Sequence, residues 1–480
     1  MHKKPGKRIL LVEPVGNLPF YVLPLGLGYL KSNLSDRHFV KIFDCSIKGV
    51  LGNSDTFRDE VRQFKPDIVA VSASIQTYIE GLAAIETAKS IDSEITTVMG
   101  GPHPSLFAKH ILQNKCVDYV FRGEAELSFS GFVDQVKEDE NWDSIKGLVY
   151  RKRNQIIEND IHCAPDLDII NIPDYKDLRL DEYLRNNYSY GGFYGKSAPI
   201  WVTRGCPYAC TFCSASLING RKIRRHSIGY MIDWIDYLYK EFSIRQFAII
   251  DDNFTFDMNY AKEFCRAIVR MRQGKHFREK IYFATPNGIR LDKIDDELLI
   301  LMKEAGWQGV SIAPESGSRK TLKRMKKHID PDSVPGIVKQ IKAVGLNVRA
   351  FFLIGYPGET IEDLKDTIKL IRKCKLDAII LGRFLPIPGT PIFNELVKDG
   401  EISQDYMPLS IFKFVMPLSK KKEDDVYLPQ GLKYLNSFWF FFRENVFLIF
   451  RNPYSIIYFC KYYGTLNLIK KFFLATKKIK

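Results

Sequence analysis

Arg204-Gly205-Cys206-Pro207-Tyr208-Ala209-Cys210-Thr211-Phe212-Cys213 sets three cysteines at C-x3-C-x2-C spacing near the middle of a 480-residue chain. Thiolate is the soft ligand that iron–sulfur clusters and zinc both take. A four-iron cluster has four iron corners, and this loop offers three ligands, so one iron would stay open to a chelating substrate. The competing reading is a zinc loop. Structural zinc is closed by four ligands, usually in two paired clusters. No second C-x2-C follows, and the next cysteine, Cys265, stands alone in a helical pattern. The ligand count favours the cluster.

Around this stretch, strand-like and helical segments alternate from Pro199 onward. Six strands are expected: Pro199–Thr203, Arg245–Asp251, Ile281–Thr285, Gly309–Ala313, Asn347–Ile354 and Ala378–Phe384. Six such units predict an open, partial TIM-like barrel of (β/α)6 type, in which chemistry sits at the C-terminal strand ends. The cysteines fall just after the first strand. The second strand ends in Asp251-Asp252-Asn253, which reads equally as an ammonium receptor or a helix N-cap. Later strands run into Asn287 and Arg290, then Pro314-Glu315-Ser316-Gly317-Ser318, then Gly355-Tyr356-Pro357-Gly358-Glu359, and last Leu385-Pro386-Ile387-Pro388-Gly389.

The first third alternates in the same way. Arg8–Glu13, Val40–Asp44, Asp67–Ser72, Glu94–Gly100 and Asp118–Arg122 are mostly continuous apolar runs, as for strands buried on both faces. Leu25–Leu34, Asp55–Phe64, Tyr78–Ile91 and Pro104–Gln113 read as helices between them. The fold class is therefore α/β: an N-terminal doubly wound, Rossmann- or flavodoxin-like parallel sheet, the partial barrel, and a small helical C-terminal region. The expected boundaries are 1–140 for the sheet domain, 141–197 for a linker with a hairpin, 198–400 for the barrel and 401–480 for the C-terminal region. Small and neutral polar residues gather at the strand ends: Leu25, Gly26 and Gly28, then Ser72, Ser74 and Gln76, then Gly100 and Gly101.

The cysteine spacing, with an aromatic before the last cysteine, resembles the radical S-adenosylmethionine (SAM) enzymes. The strings P-L-G-L-G-Y-L, G-G-P-H-P (Gly100–Pro104) and R-G-E-A-E (Arg122–Glu126) are similar to the cobalamin-binding branch of that superfamily, and the resemblance spans roughly residues 8–400. It implies a [4Fe-4S] cluster on Cys206, Cys210 and Cys213. It implies SAM against Phe212 (adenine), Asp251 or Asp252 (methionine amine), Glu315 and Ser316 (ribose or carboxylate), and the backbone of Gly355 and Leu385 (adenine). It implies cobalamin on the strand-end residues just named. The D-x-H-x-x-G loop of the wider B12 family is missing, so cobalt would lack a histidine ligand. His103, between two prolines, reads as structural.

The implied reaction is reductive cleavage of SAM coupled to bound cobalamin, with methylation of an unactivated carbon of a small-molecule, lipid or tetrapyrrole-type substrate as the leading outcome. A cobalamin-dependent radical cyclase or ring-rearranging enzyme is one alternative; a cofactor-binding sensor without turnover is another. An electron donor such as flavodoxin or ferredoxin is implied. No side chain is assigned as a catalytic acid, base or nucleophile.

Composition sets the remaining bounds. At 45% hydrophobic and 26% charged, the chain is globular in character. Cys45, Cys116, Cys163, Cys265, Cys374 and Cys460 are scattered singly, a pattern expected of a reducing, cytoplasmic compartment rather than a disulfide framework. The formal charge is +14, and residues 431–480 hold nine Lys/Arg against the single acid Glu444. No nucleic-acid motif accompanies it. Basic residues interleave there with aromatics such as Trp439 and Phe440, which suits either a helical cap on the barrel or peripheral contact with the inner face of a membrane.

Overall fold

The computed structural model describes residues 6–16, 22–137, 141–153, 155–161, 163–185, 195–274 and 276–407. The expected cap or membrane-contact region lies, from residue 408, outside the described residues.

Strands β1 (Arg8–Glu13), β2 (Phe39–Asp44), β3 (Ile68–Ser72), β4 (Thr96–Gly100) and β5 (Tyr119–Phe121) form a parallel sheet in the order 2-1-3-4-5. The continuous apolar runs form strands because both faces are covered. Ile9 and Leu11 of β1 point into one core, and Leu10 and Val12 into the other. The order reverses between β1 and β3, the switch point beside which ligands of such sheets bind. A hairpin of β6 (Leu148–Lys152) and β7 (Gln155–Glu158) extends this sheet antiparallel to β5. The hairpin expected within the linker is thus part of the first sheet.

Six parallel strands follow in sequence order. β8 (Ser197–Ile200) is succeeded by the two-residue strands β9 (Thr203–Arg204) and β10 (Arg224–Arg225); the barrel resumes with β11 (Gln246–Ile249), β12 (Tyr282–Ala284), β13 (Gly309–Glu315), β14 (Asn347–Ile354) and β15 (Ala378–Arg383). Strands β8, β11 and β12 form one ladder and β13, β14 and β15 another, joined by the parallel bridges Phe283–Trp307 and Ile289–Ile312. β14 alternates strictly: Val348, Ala350, Phe352 and Ile354 are buried, whereas Arg349, Phe351 and Leu353 are half-buried. That is a strand with helices behind it and an open mouth before it.

Residues 163–185 strap the two parts together. The Tyr175 hydroxyl donates to the Pro199 carbonyl at 2.7 Å, and Asp174 N donates to Gly28 O at 3.2 Å. Tyr29 meets Trp234 edge-on at 6.2 Å. One apolar core therefore runs from Ile9 to Phe352 through both sheets, so the two expected domains share a packed interface.

Candidate functional site

The cysteine loop is the connection of the β9–β10 hairpin, whose register pairs Arg204 with Arg224 and Thr203 with Arg225. Two features shape its base. Gly205 has φ +95°, and a Cβ there would lie 2.4 Å from the Lys222 carbonyl, so only glycine lets the loop cross. Asp251 accepts from Val202 N at 2.8 Å, Thr203 N at 2.7 Å and Thr203 Oγ1 at 2.8 Å. Burial pushes its carboxyl up to about 7.

The far side of the loop is held by the later strand ends. Thr211 N donates to Met325 O at 3.0 Å, Thr211 Oγ1 lies 2.6 Å from the Tyr356 hydroxyl, and Ile392 N donates to Thr211 O at 3.1 Å. The Cys210 thiol faces the Lys326 carbonyl at 3.9 Å.

Cys206, Cys210 and Cys213 are all free and half-buried; Cys210 acts electrostatically on both of the others, and Cys206 on Cys213. Burial pushes all three thiols up, Cys213 to about 12, while the Lys327 and Arg290 cations pull Cys210 down. Among the described residues no three His, Cys, Asp or Glu side chains converge as single-ion ligands do. Three thiols spread along one loop suit a cluster, which takes one thiolate per iron corner, better than a single zinc.

Polar groups ring this loop at the strand ends. Arg290 stacks over the Tyr208 ring at 3.7 Å and donates to Asp292 at 2.7 Å. Lys327 pairs with Glu315 at 2.9 Å and lies 5.9 Å from the Phe212 ring centroid. Glu315 closes β13 after a bulge, at φ +68°, a conformation that costs a non-glycine residue about 1–3 kcal/mol. Asp252 accepts from Asn219 Nδ2 at 2.8 Å, and its carboxylate pushes Cys206 and Cys213 further up. Phe212 sits edge-on to Tyr356 at 6.5 Å.

Phe212, Asp252 and Glu315 are thus gathered with the three cysteines. Three expected SAM contacts are not. Asp251 is 2% exposed and its oxygens are taken by the β8–β9 connection, so it braces the loop instead of meeting an amine. Ser316 is fully buried; its hydroxyl accepts from Ser318 N at 3.1 Å and lies 3.1 Å from Thr367 Oγ1. Gly355 turns at φ +77° and its N–H donates to Glu359 at 2.6 Å, which leaves no amide for adenine there. Leu385 lies half-buried just beyond β15.

On the first sheet, Ser72 and Gly100 are register partners at the carboxyl edge, and Ala73 N donates to Gly100 O at 2.8 Å. Gly101, at φ +99°, brings helix Pro102–Ile111 against this edge; a Cβ would lie 2.8 Å from Ala73 O. Ser74 is folded into a turn with Thr77, its N–H donating to Thr77 Oγ1 at 2.9 Å. The Ser72 and Gln76 side chains are half-buried and make no hydrogen bond among the described residues, so this rim has polar groups to offer a ligand. Gly26 is exposed with open space at its Cβ position, and Leu25 is buried. Gly28 corrects its expectation: a Cβ would lie 2.5 Å from Leu178 Cδ1 and 3.0 Å from Pro173 Cβ, so its smallness admits the strap. His103 packs between Tyr78 at 4.8 Å and Phe107 at 5.6 Å, and burial lowers it to about 4, as befits a structural histidine.

Sequence reasoning missed the link between the two halves. Arg204, fully buried, donates to Glu126 at 2.6 Å and lies 3.6 Å from Glu124; Arg224 grips Glu124 through both nitrogens at 2.7 and 2.5 Å. The acids belong to the R-G-E-A-E string after β5, and the arginines to the two strands of the cysteine hairpin. An acidic pair at one strand end and lone arginines at another were the available signal. A cavity of about 860 Å³ flanks β10, lined in part by Asp166, Arg225, Phe256, Asp257 and Lys293.

Family models match this geometry in order along the chain: the B12 binding domain over residues 14–133 and the radical SAM superfamily over residues 200–371. An uncharacterized methyltransferase of Pyrococcus horikoshii is 31% identical over 382 residues, covering 78% of this chain and 79% of its own. The chain belongs to the cobalamin-binding radical SAM enzymes. The cytidylyl-2-hydroxyethylphosphonate methyltransferase of Streptomyces wedmorensis is 27% identical and is covered, like this chain, to 83%. The anaerobic magnesium-protoporphyrin IX monomethyl ester cyclase of Rubrivivax gelatinosus is 25% identical, covering 86% of this chain and 73% of its own. In fold, the radical SAM methyltransferase TsrM of Kitasatospora setae, solved with cobalamin and a [4Fe-4S] cluster, superposes with a TM-score of 0.68 at 17% identity, over 82% of this chain and 78% of that one. The cofactors of this cobalamin-dependent radical SAM enzyme are therefore a [4Fe-4S] cluster, SAM and cobalamin. No helix among the described residues is long and apolar enough to cross a membrane.

Proposed function

We propose that this radical SAM enzyme transfers a methyl group to an unactivated carbon of a small-molecule, lipid or tetrapyrrole-type substrate. The reading is supported by the methyltransferase names of the Pyrococcus and Streptomyces relatives, and the bracket from Arg204 and Arg224 to Glu126 and Glu124, which ties the cysteine hairpin directly to the edge of the B12 sheet, supports the two cofactors acting together. When bound, the cluster supplies an electron to the SAM sulfonium and cobalamin supplies a transferable methyl group.

The chain's own residues do the positioning. Cys206, Cys210 and Cys213 would hold the cluster, whose remaining iron would be open to the amino acid end of SAM. Lys327 and Arg290 favour the ionised Cys210 thiol. Asp252, not Asp251, receives the ammonium. Glu315, fixed by Lys327, accepts from the ribose, and Phe212 covers the adenine, with Leu385 at its border. Ser72, Gln76, Gly100 and Gly101 form the rim that takes cobalamin. An external one-electron donor such as flavodoxin or ferredoxin would supply the reducing equivalent.

The name of the Rubrivivax relative favours ring closure as a second reading. Methyl-deuterated SAM, incubated anaerobically with reduced, cobalamin-loaded enzyme, separates the two. Methyl transfer gives S-adenosylhomocysteine and deuterium co-migrating with cobalamin; 5′-deoxyadenosine with no deuterium on cobalamin favours the cyclase. Cys210→Ala should abolish SAM cleavage while cobalamin absorbance persists, and undiminished cleavage would remove the cluster assignment.

A further inference from the structure

We infer that the cationic face of residues 319–328 is the docking surface for the reductant, a small acidic one-electron protein. The inference rests on the cluster assignment above. The segment Arg319-Lys320-Thr321-Leu322-Lys323-Arg324-Met325-Lys326-Lys327-His328 contains six Lys/Arg and no acid. Its inner side is built into the cysteine loop by backbone carbonyls. Arg324 O accepts from Thr211 Oγ1 at 3.2 Å, Met325 O from Thr211 N at 3.0 Å, and Lys326 O faces the Cys210 thiol at 3.9 Å. Lys327 O accepts from Arg290 at 3.2 Å. Lys326 and His328 both hold left-handed backbone, at φ +51° and +52°.

Its outer side is a field of charge. Arg319 pairs with Asp330 and Asp332, Arg324 with Glu395 and Lys327 with Glu315. Lys320, Lys323 and Lys326 are exposed and make no salt bridge among the described residues. An electron entering here meets Cys210 one backbone carbonyl below the surface. The opposite flank of the hairpin is closed by the buried Arg204 and Arg224 brackets to the first sheet. Lys320 also acts on Asp363, which leaves Lys323 and Lys326 as the freest cations of the face. A surface with one sign of charge in excess adds little to stability but speeds and orients encounter with a partner of the other sign.

The test uses the full chain, with flavodoxin as the acidic probe. Binding is titrated calorimetrically at low and high salt for wild type, Lys320→Glu/Lys323→Glu, and the control Lys373→Glu/Lys375→Glu at the opposite end of the barrel. Dithionite-driven SAM cleavage is followed in parallel. The first variant should bind flavodoxin about tenfold more weakly at low salt, with a flattened salt dependence, while the control binds as wild type does. Dithionite-driven cleavage should be equal in all three proteins. Unchanged flavodoxin affinity with intact dithionite cleavage overturns the docking surface alone, as does a parallel titration with anionic vesicles in which Lys320→Glu/Lys323→Glu loses vesicle binding but keeps flavodoxin binding. Absence of dithionite-driven cleavage in wild type overturns the cluster assignment and the docking proposal with it.

Discussion

Removing Arg204 should be among the most costly charge removals among the described residues. Its side chain is fully buried against Glu126 at 2.6 Å, with Glu124 at 3.6 Å and the rings of Tyr29 and Trp201 at 4.8 and 4.5 Å from its guanidinium carbon. Arg204→Met keeps much of the volume and removes the cation. Glu124 still has Arg224, but Glu126 becomes a buried carboxylate without a partner. Breaking a buried pair in this way costs about 3–5 kcal/mol. Glu126→Gln keeps an acceptor facing Arg204 and leaves that cation beside Glu124, so the cost falls to about 1.5–3 kcal/mol, the range for a hydrogen bond to a charged group.

In Arg204→Met/Glu126→Gln neither charge is left alone, and most of the loss should return, giving a coupling of at least about 2 kcal/mol. Urea unfolding of the apo proteins, followed by far-UV circular dichroism and checked for equal m-values, measures all four corners of the cycle. Hydrogen exchange adds a local readout: protection should fall first at residues 122–126 and 203–206. A loss under about 1 kcal/mol for Arg204→Met, or a double variant as unstable as the sum of the singles, would refute the claim that this pair joins the two halves.

Three further outcomes follow from the site. Because burial raises the folded-state pKa of Asp251 above its unfolded value, its contribution is full at low pH and is lost as pH rises towards about 7. Wild type should lose about 2–3 kcal/mol through this group between pH 5 and pH 8, and Asp251→Asn should lack that slope when unfolding is measured at both pH values. Gly205→Ala places a methyl 2.4 Å from the Lys222 carbonyl at a φ of +95°, so iron and sulfide per chain should drop several-fold after reconstitution while far-UV dichroism is retained. Gly28→Ala pushes against Leu178 and should cost about 1–3 kcal/mol in urea unfolding, yet folded protein should bind cobalamin undiminished, since the glycine serves the strap.

The alternation of buried runs and amphipathic segments was legible because a strand covered on both faces has a continuous apolar signature. Eleven barrel and sheet strands were expected within one to three residues of where they lie, from Arg8–Glu13 to Ala378–Arg383. β9 and β10 escaped notice because a two-residue strand has no periodicity, and their pairing spans the whole cysteine loop. The functional residues divide along similar lines. The cysteines announce themselves by spacing alone. Asp251 and Asp252 do not, because neighbouring residues point in opposite directions and the sequence is silent on which of them faces the loop. A glycine such as Gly28 reads equally as room for a ligand or for a side chain 150 positions away, and here it is Leu178 that fills the space. The Arg204–Glu126 contact joins residues 78 apart, each unremarkable in its own segment.

The break between β12 and β13 gives the cysteine loop a mechanical character. The barrel is two half-shells joined by isolated bridges, not a continuous ladder. The loop springs from the first half-shell, where Asp251 clamps its root, and its tip is fastened to the second through Met325, Tyr356 and Ile392. It is a clasp across a seam that Phe283 and Trp307, stacked at 4.7 Å, fill with apolar side chains. The shape of the thiol-bearing turn is thereby set by both half-shells at once, and a substitution that disturbs the packing of either one reaches the cysteines.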